Sequence, residues 1–168
     1  MAVGKNTLHE YLAYLEDAFL IRTVPLHTAS ERQRMVNPRK AYPVDPGLIP
    51  LYERTGRTNA GHALETVVFL ELERRGYDIG YLRTREGWEV DFCAGQPLGN
   101  TVLVQVCAEV NEPETLEREV RALQAIAPLH PEAEALLITL DTTPPKISLP
   151  ETIHWRPAIQ WLLDKNEE

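Results

Sequence analysis

A mixed α/β fold is predicted for this chain by three stretches of its sequence. Residues 63–75 carry Leu64, Val67, Val68 and Leu72 at helical spacing. Residues 89–92 and 102–107 alternate apolar with polar side chains, the pattern of strands. Ala135 to Leu140 is a nearly continuous apolar run, as in a strand buried on both faces.

The other elements follow in chain order. Thr7 with Glu10 makes a capping box, and Leu8, Leu12, Leu15 and Phe19 recur at helical spacing with Tyr11 beside them. Ile21 to Leu26 reads as a strand, His27 to Arg39 as a polar stretch, and Lys40 to Val44 as a return strand that Pro43 marks as an edge. Asp45-Pro46-Gly47 is a turn. Helix followed by hairpin is the back half of a winged helix, so the chain is expected to begin within a domain. Residues 48–52 suit a short helix and 55–61 a linker. In the helix over 63–75, Glu71, Glu73, Arg74 and Arg75 are placed outside, and Gly76 is its C-cap. A strand over 77–83 and a turn at Glu86-Gly87 lead into the alternating pair, joined by a loop over 95–100. A helix over 114–127 carries Leu116, Val120, Leu123 and Ala127, with Pro113 near its start and Pro128 as its stop. A loop over 141–150, a strand at 153–155 and a helix over 158–163 complete the chain. Two units are expected: a partial winged-helix element over 1–54 and an α/β domain over 55–168.

At 168 residues and 43% hydrophobic content, the chain can bury a real core. No apolar run spans a membrane and none follows Met1 as a signal peptide would, so a cytoplasmic location is expected. Cys93 and Cys107 are too few for a disulfide scaffold, and no CxxC or HxxxH spacing joins them to His9 or His62 as a zinc site. His27, His130 and His154 are scattered and read as surface or packing residues. A net charge of −8 argues against coating nucleic acid by charge alone. Locally, however, Arg22, Arg32, Arg34, Arg39 and Lys40 outnumber Glu31. They read either as a DNA-touching β-wing or as a hairpin whose charged edges block aggregation.

The chemistry concentrates on Glu65, Glu89, Asp91, Gln105 and Cys107. A helix carboxylate, a strand aspartate and a polar-x-polar neighbouring strand are the skeleton of a metal-dependent nuclease site, since phosphodiester cleavage needs hard oxygen ligands for Mg²⁺. If Asp91 pairs with Gln105 across the two strands, Glu89 stands opposite Cys107 and Cys93 opposite Leu103. One polar face would then carry all four groups.

Tyr14-Leu15-Glu16-Asp17-Ala18-Phe19-Leu20-Ile21, Ala41-Tyr42-Pro43-Val44-Asp45-Pro46-Gly47-Leu48, Leu64-Glu65-Thr66-Val67-Val68-Phe69, Glu89-Val90-Asp91-Phe92 and Val104-Gln105-Val106-Cys107, in that order, carry a resemblance. The chain resembles the PD-(D/E)XK nuclease-like superfamily, and more closely the domain at the C-terminus of many bacterial and archaeal AAA+-type ATPases. The resemblance implies a restriction-endonuclease-like core, an ATPase partner upstream or separate, and Mg²⁺ as the cofactor of an active member. It places Glu65, Asp91 and Gln105 in the first three site roles; in the register given above, Glu89 would add a second metal carboxylate to the same face. Cys107 falls where the family has its lysine. Cys is a soft ligand and supplies no fixed positive charge, and Gln brings an amide in place of a charge. Arg118 and Arg121 on the following helix could approach the site but read as a solvated face. Residues 56–62 lack the Lys-Ser/Thr of a phosphate-binding loop, so no nucleotide is expected here. Three functions follow: a non-cleaving accessory module of an ATPase that contacts DNA or a protein, a Mg²⁺-dependent DNA endonuclease, or an oligomerisation domain.

Overall fold

A computed structural model describes residues 4–52, 60–97, 99–108, 110 and 113–164; most of the expected linker at 55–61 lies outside them. The elements are α1 (Lys5–Asp17), β1 (Ile21–Val24), α2 (Glu31–Val36), β2 (Lys40–Pro43), α3 (Ile49–Tyr52), α4 (Ala60–Arg74), β3 (Asp78–Arg83), β4 (Glu89–Gly95), β5 (Thr101–Cys107), α5 (Pro113–Ile126), β6 (Ala133–Thr139), β7 (Ile153–Pro157) and α6 (Ala158–Leu163). The fold is mixed α and β. Its main sheet runs β3-β4-β5-β6-β7, antiparallel in the first two pairings and parallel in the last two.

Both faces of this sheet are covered. On one side Leu64, Val68, Phe69 and Leu72 of α4 meet Phe92, Val102, Val104 and Ile138, with Trp161 of α6 beside them. On the other, Leu116, Val120, Leu123 and Ile126 of α5 meet Leu103, Cys107 and Leu137. The single polar face expected from alternation is therefore absent: Val90 lies in the α5-side core and Phe92 in the α4-side core. The cause is a bulge. Gly80 faces Cys93 while Leu82 faces Val90, so Tyr81 alone opposes both Asp91 and Phe92. The extra residue resets the alternation and turns Asp91 and Phe92 toward α4 together. Cys93 does face Leu103, as the register predicted, and the ladder ends at Phe92 opposite Val104. Both thiols are free and buried.

The N-terminal hairpin shares this core. β1 and β2 pair antiparallel, Val24 opposite Lys40 and Arg22 opposite Tyr42. Val24 and Tyr42, each 1% exposed, join the cluster that holds Phe69 and Phe92. The stretch expected to be merely polar contains α2, capped by the Ser30 hydroxyl accepting from the Gln33 amide. Beyond β1, the chain lies along the edge strand: Leu26 bridges Tyr81, His27 N–H donates to the Tyr81 carbonyl at 2.7 Å, and Tyr81 N–H to the Pro25 carbonyl at 3.0 Å. Gly80 permits this approach, because a Cβ there would stand 2.8 Å from Cβ of His27. Gly80→Val is expected to cost about 1–3 kcal/mol by overpacking; urea denaturation would measure it, and an unchanged midpoint would mean that the strap yields freely.

Three local expectations change. α1 starts at Lys5 with Gly4, which has no side chain to cap it, at the N-cap, so Thr7 lies inside the helix. Its stripe is solvent-facing: Leu8, Tyr11, Tyr14, Leu15 and Phe19 are all exposed. Glu71 is buried, pairing with Arg74 and Arg75, and Arg75 in turn lies 4.4 Å over the Trp161 ring. Gly76 does end α4 in the left-handed region, at φ 77°.

Candidate functional site

β2 places Lys40 and Tyr42 two residues apart, hence on one side of the strand. That side faces α4 and the bulged end of β4. The Lys40 ammonium stands 2.9 Å from Asp91 Oδ1, 2.9 Å from Glu89 Oε1 and 3.2 Å from Glu65 Oε1. The Tyr42 hydroxyl donates to Glu65 Oε1 at 2.6 Å. Its ring stacks on Phe69 at 4.8 Å between centroids, which fixes the phenol.

Beyond the last β4–β5 pair the two strands are joined by side chains. Asp91 Oδ2 accepts from the Val106 N–H at 3.0 Å and from Gln105 Nε2 at 2.9 Å, while Gln105 Oε1 accepts from the Asp91 N–H at 3.3 Å. Gln105 Nε2 also donates to Glu119 Oε2 at 2.6 Å, and Arg118 pairs with Glu119. A continuous polar path thus runs from β2 through the sheet end to α5.

Three carboxylates share one ammonium, so full ionisation would leave excess negative charge. Burial pushes Asp91 up to about 6, with Glu65 adding to the rise and Lys40 opposing it. Burial works against the Lys40 charge too, but Asp91 and Glu65 hold its pKa above the ordinary value. Burial and the Glu65 charge raise Tyr42, which stays a neutral donor.

The structure brings Glu65, Glu89, Asp91 and Gln105 together. Cys107 lies apart from the carboxylates, in the core beneath α5 with Leu103. Lys40 is absent from the outer surface expected for nucleic-acid contact; the carboxylates draw it inward. Arg22 pairs with Glu73 at 3.2 Å, and Arg39 reaches Thr23 Oγ1 at 3.4 Å. Arg32 and Arg34 are exposed on α2. Arg118 is engaged by Glu119, and Arg121 by Glu117 at 3.5 Å. Tyr42 and Glu119 were missed. The signals were the lysine–tyrosine spacing on β2 and an acid at 119 beside the apolar stripe of α5.

The oxygen donors for Mg²⁺ would be Glu65, Glu89 and Asp91, but their oxygens are arranged around an ammonium. Among the described residues no group of three His, Cys, Asp or Glu side chains is placed to hold a metal ion. The donor set as arranged does not fit the near-octahedral shell that Mg²⁺ demands.

Residues 1–57 match a domain of unknown function (DUF8612). The chain is similar to the uncharacterized protein MJ1544 of Methanocaldococcus jannaschii, 35% identical over 127 residues, 73% of this chain and 27% of that protein. It is also similar to an uncharacterized protein of Haemophilus influenzae, 34% identical over 113 residues, 65% of this chain and 27% of that protein. The chain thus spans about a quarter of the length of these curated relatives. No solved structure matches. No helix among the described residues is long and apolar enough to cross a membrane.

Proposed function

We propose that this chain is a PD-(D/E)XK-like module that does not cleave nucleic acid and serves a longer AAA+-type ATPase by contacting DNA. The reading rests on the Lys40 ammonium, lodged among the three carboxylates that a nuclease would give to its metal. A cation inside the protein takes the place of one from solution. The acid cluster then becomes a fastening between the hairpin, α4 and β4 rather than a hydrolytic centre. The element order α4-β3-β4-β5-α5-β6, with Glu65, Asp91 and Gln105 converging, supports the superfamily part. The length of the relatives leaves room for the ATPase part. Fold likeness alone does not license a function, so the site carries the reading.

The test is incubation of the purified chain with plasmid or single-stranded DNA and Mg²⁺ or Mn²⁺. The expected result is intact DNA, together with a melting temperature that Mg²⁺ leaves unchanged. Cleavage that Asp91→Ala abolishes would establish the endonuclease instead. One observation favours that second reading: Lys40 brings beside Asp91 the positive charge that Cys107 cannot supply. Oligomerisation is favoured by the exposed stripe of α1, and light scattering of the isolated chain reads it directly.

A further inference from the structure

At the β3–β4 turn lies an open groove of about 590 Å³, bounded by that turn and the end of α5. Its apolar wall is formed by Leu82, Ile126 and Leu129, the last 69% exposed. Trp88 lines it, half-buried; its backbone N–H donates to Thr84 Oγ1 at 3.3 Å and its carbonyl accepts from the Thr84 N–H at 2.8 Å. Gly87, at φ 94°, makes the turn. Arg83 and Arg85 line the same groove and are exposed. Neither forms a salt bridge among the described residues. The one carboxylate of the lining, Glu86, accepts from its own backbone and from Thr84.

We infer that this groove binds a short single-stranded polynucleotide, with a base on Trp88 and adjoining phosphates on Arg83 and Arg85. In a chain of net charge −8, two exposed guanidiniums without a salt bridge among the described residues line one groove with Trp88, whose ring packs partly on the α5-side core. They match the two halves of single-strand recognition: ring stacking, which any base satisfies, and cations that follow the backbone. The volume lies within the range of small-ligand sites and suits one base with its neighbouring sugar and phosphate. Leu129 offers a second apolar surface for that base. Three of the five hairpin cations, Arg22, Arg39 and Lys40, are already engaged by neighbours. The inference rests on the nucleic-acid-contacting part of the proposed function and is independent of whether the acid cluster cleaves.

The experiment is fluorescence anisotropy with labelled oligothymidylate and oligouridylate of about fifteen nucleotides at low salt, in the range of single-strand site sizes. Wild type is expected to bind, and the tighter of the two identifies DNA or RNA as the source. Trp88→Leu, which keeps the apolar packing, should weaken binding about tenfold or more. Arg83→Ala/Arg85→Ala, both on the surface, should lower the slope of log affinity against log salt by about 1.4. Far-UV circular dichroism confirms that each variant is folded. If the double arginine variant binds as wild type while Arg32→Ala/Arg34→Ala does not, the groove is overturned and nucleic-acid contact moves to α2. If wild type binds neither oligonucleotide, the groove and the nucleic-acid reading fall together.

Discussion

Lys40→Met is expected to destabilise the chain by about 3 kcal/mol at neutral pH, the low end for breaking a buried ion pair. The side chain is 21% exposed, so water screens part of the loss. What remains is the cost of leaving Glu65, Glu89 and Asp91 facing one another with no counter-charge. Since the Lys40 pKa is raised, its contribution is fully present across the neutral range and is lost only as pH climbs through the raised value. Urea denaturation at pH 7 measures the loss; a change below about 0.5 kcal/mol would show the cluster to be a solvated surface. The same variant tests the substitution of ammonium for metal. With Lys40 removed, Mg²⁺ or Mn²⁺ should raise the melting temperature of Lys40→Met and leave wild type unmoved. A metal-dependent rise in wild type, at least equal to the variant's, would contradict the proposed function.

Asp91→Asn should abolish a pH dependence that wild type possesses. The folded pKa of Asp91 is pushed up to about 6, above an unfolded value near 3.9. A carboxyl whose folded pKa is raised binds its proton more tightly when folded. Its contribution is therefore fully present below pH of about 3.9 and is lost as pH rises through about 6. Two units correspond to about 3 kcal/mol, so wild type should gain up to that much on Asp91→Asn between pH 7 and pH 4. Asn keeps an oxygen for the Val106 N–H, and so isolates the charge from the hydrogen bond. Chemical denaturation of both proteins across that interval measures the gap. A gap independent of pH would mean that Asp91 titrates normally, with Lys40 fully compensating its burial.

The two results bear on function as well as stability. In both, the acid cluster fastens the N-terminal hairpin to α4 and the main sheet. In that arrangement the hairpin cannot leave without exposing three carboxylates, and a divalent ion cannot enter without displacing Lys40. Gly80 stands at the other attachment, where the chain after β1 lies against β3.

Much of this was legible in the sequence, because it depends on local period and local punctuation. The stripe of α4, its Gly76 stop, the span of α5 between prolines and the apolar run of β6 all follow from residues within a few positions of one another. So does the pairing of Cys93 with Leu103, which the loop between β4 and β5 sets. The meeting of Glu65 on α4 with Asp91 on β4 and Gln105 on β5 was expected from a resemblance, and no local period predicts it. What only the tertiary structure decided is the bulge at Asp91 and the identity of the cation. Alternation assumes a constant period of two, and one unpaired residue resets it, sending Val90 and Phe92 to opposite cores and Cys107 away from the carboxylates. Lys40 is 51 residues from Asp91 in the chain. No periodicity reports a contact of that separation, because it is made by the packing of one sheet against another and by the cost of leaving buried carboxylates without a positive charge.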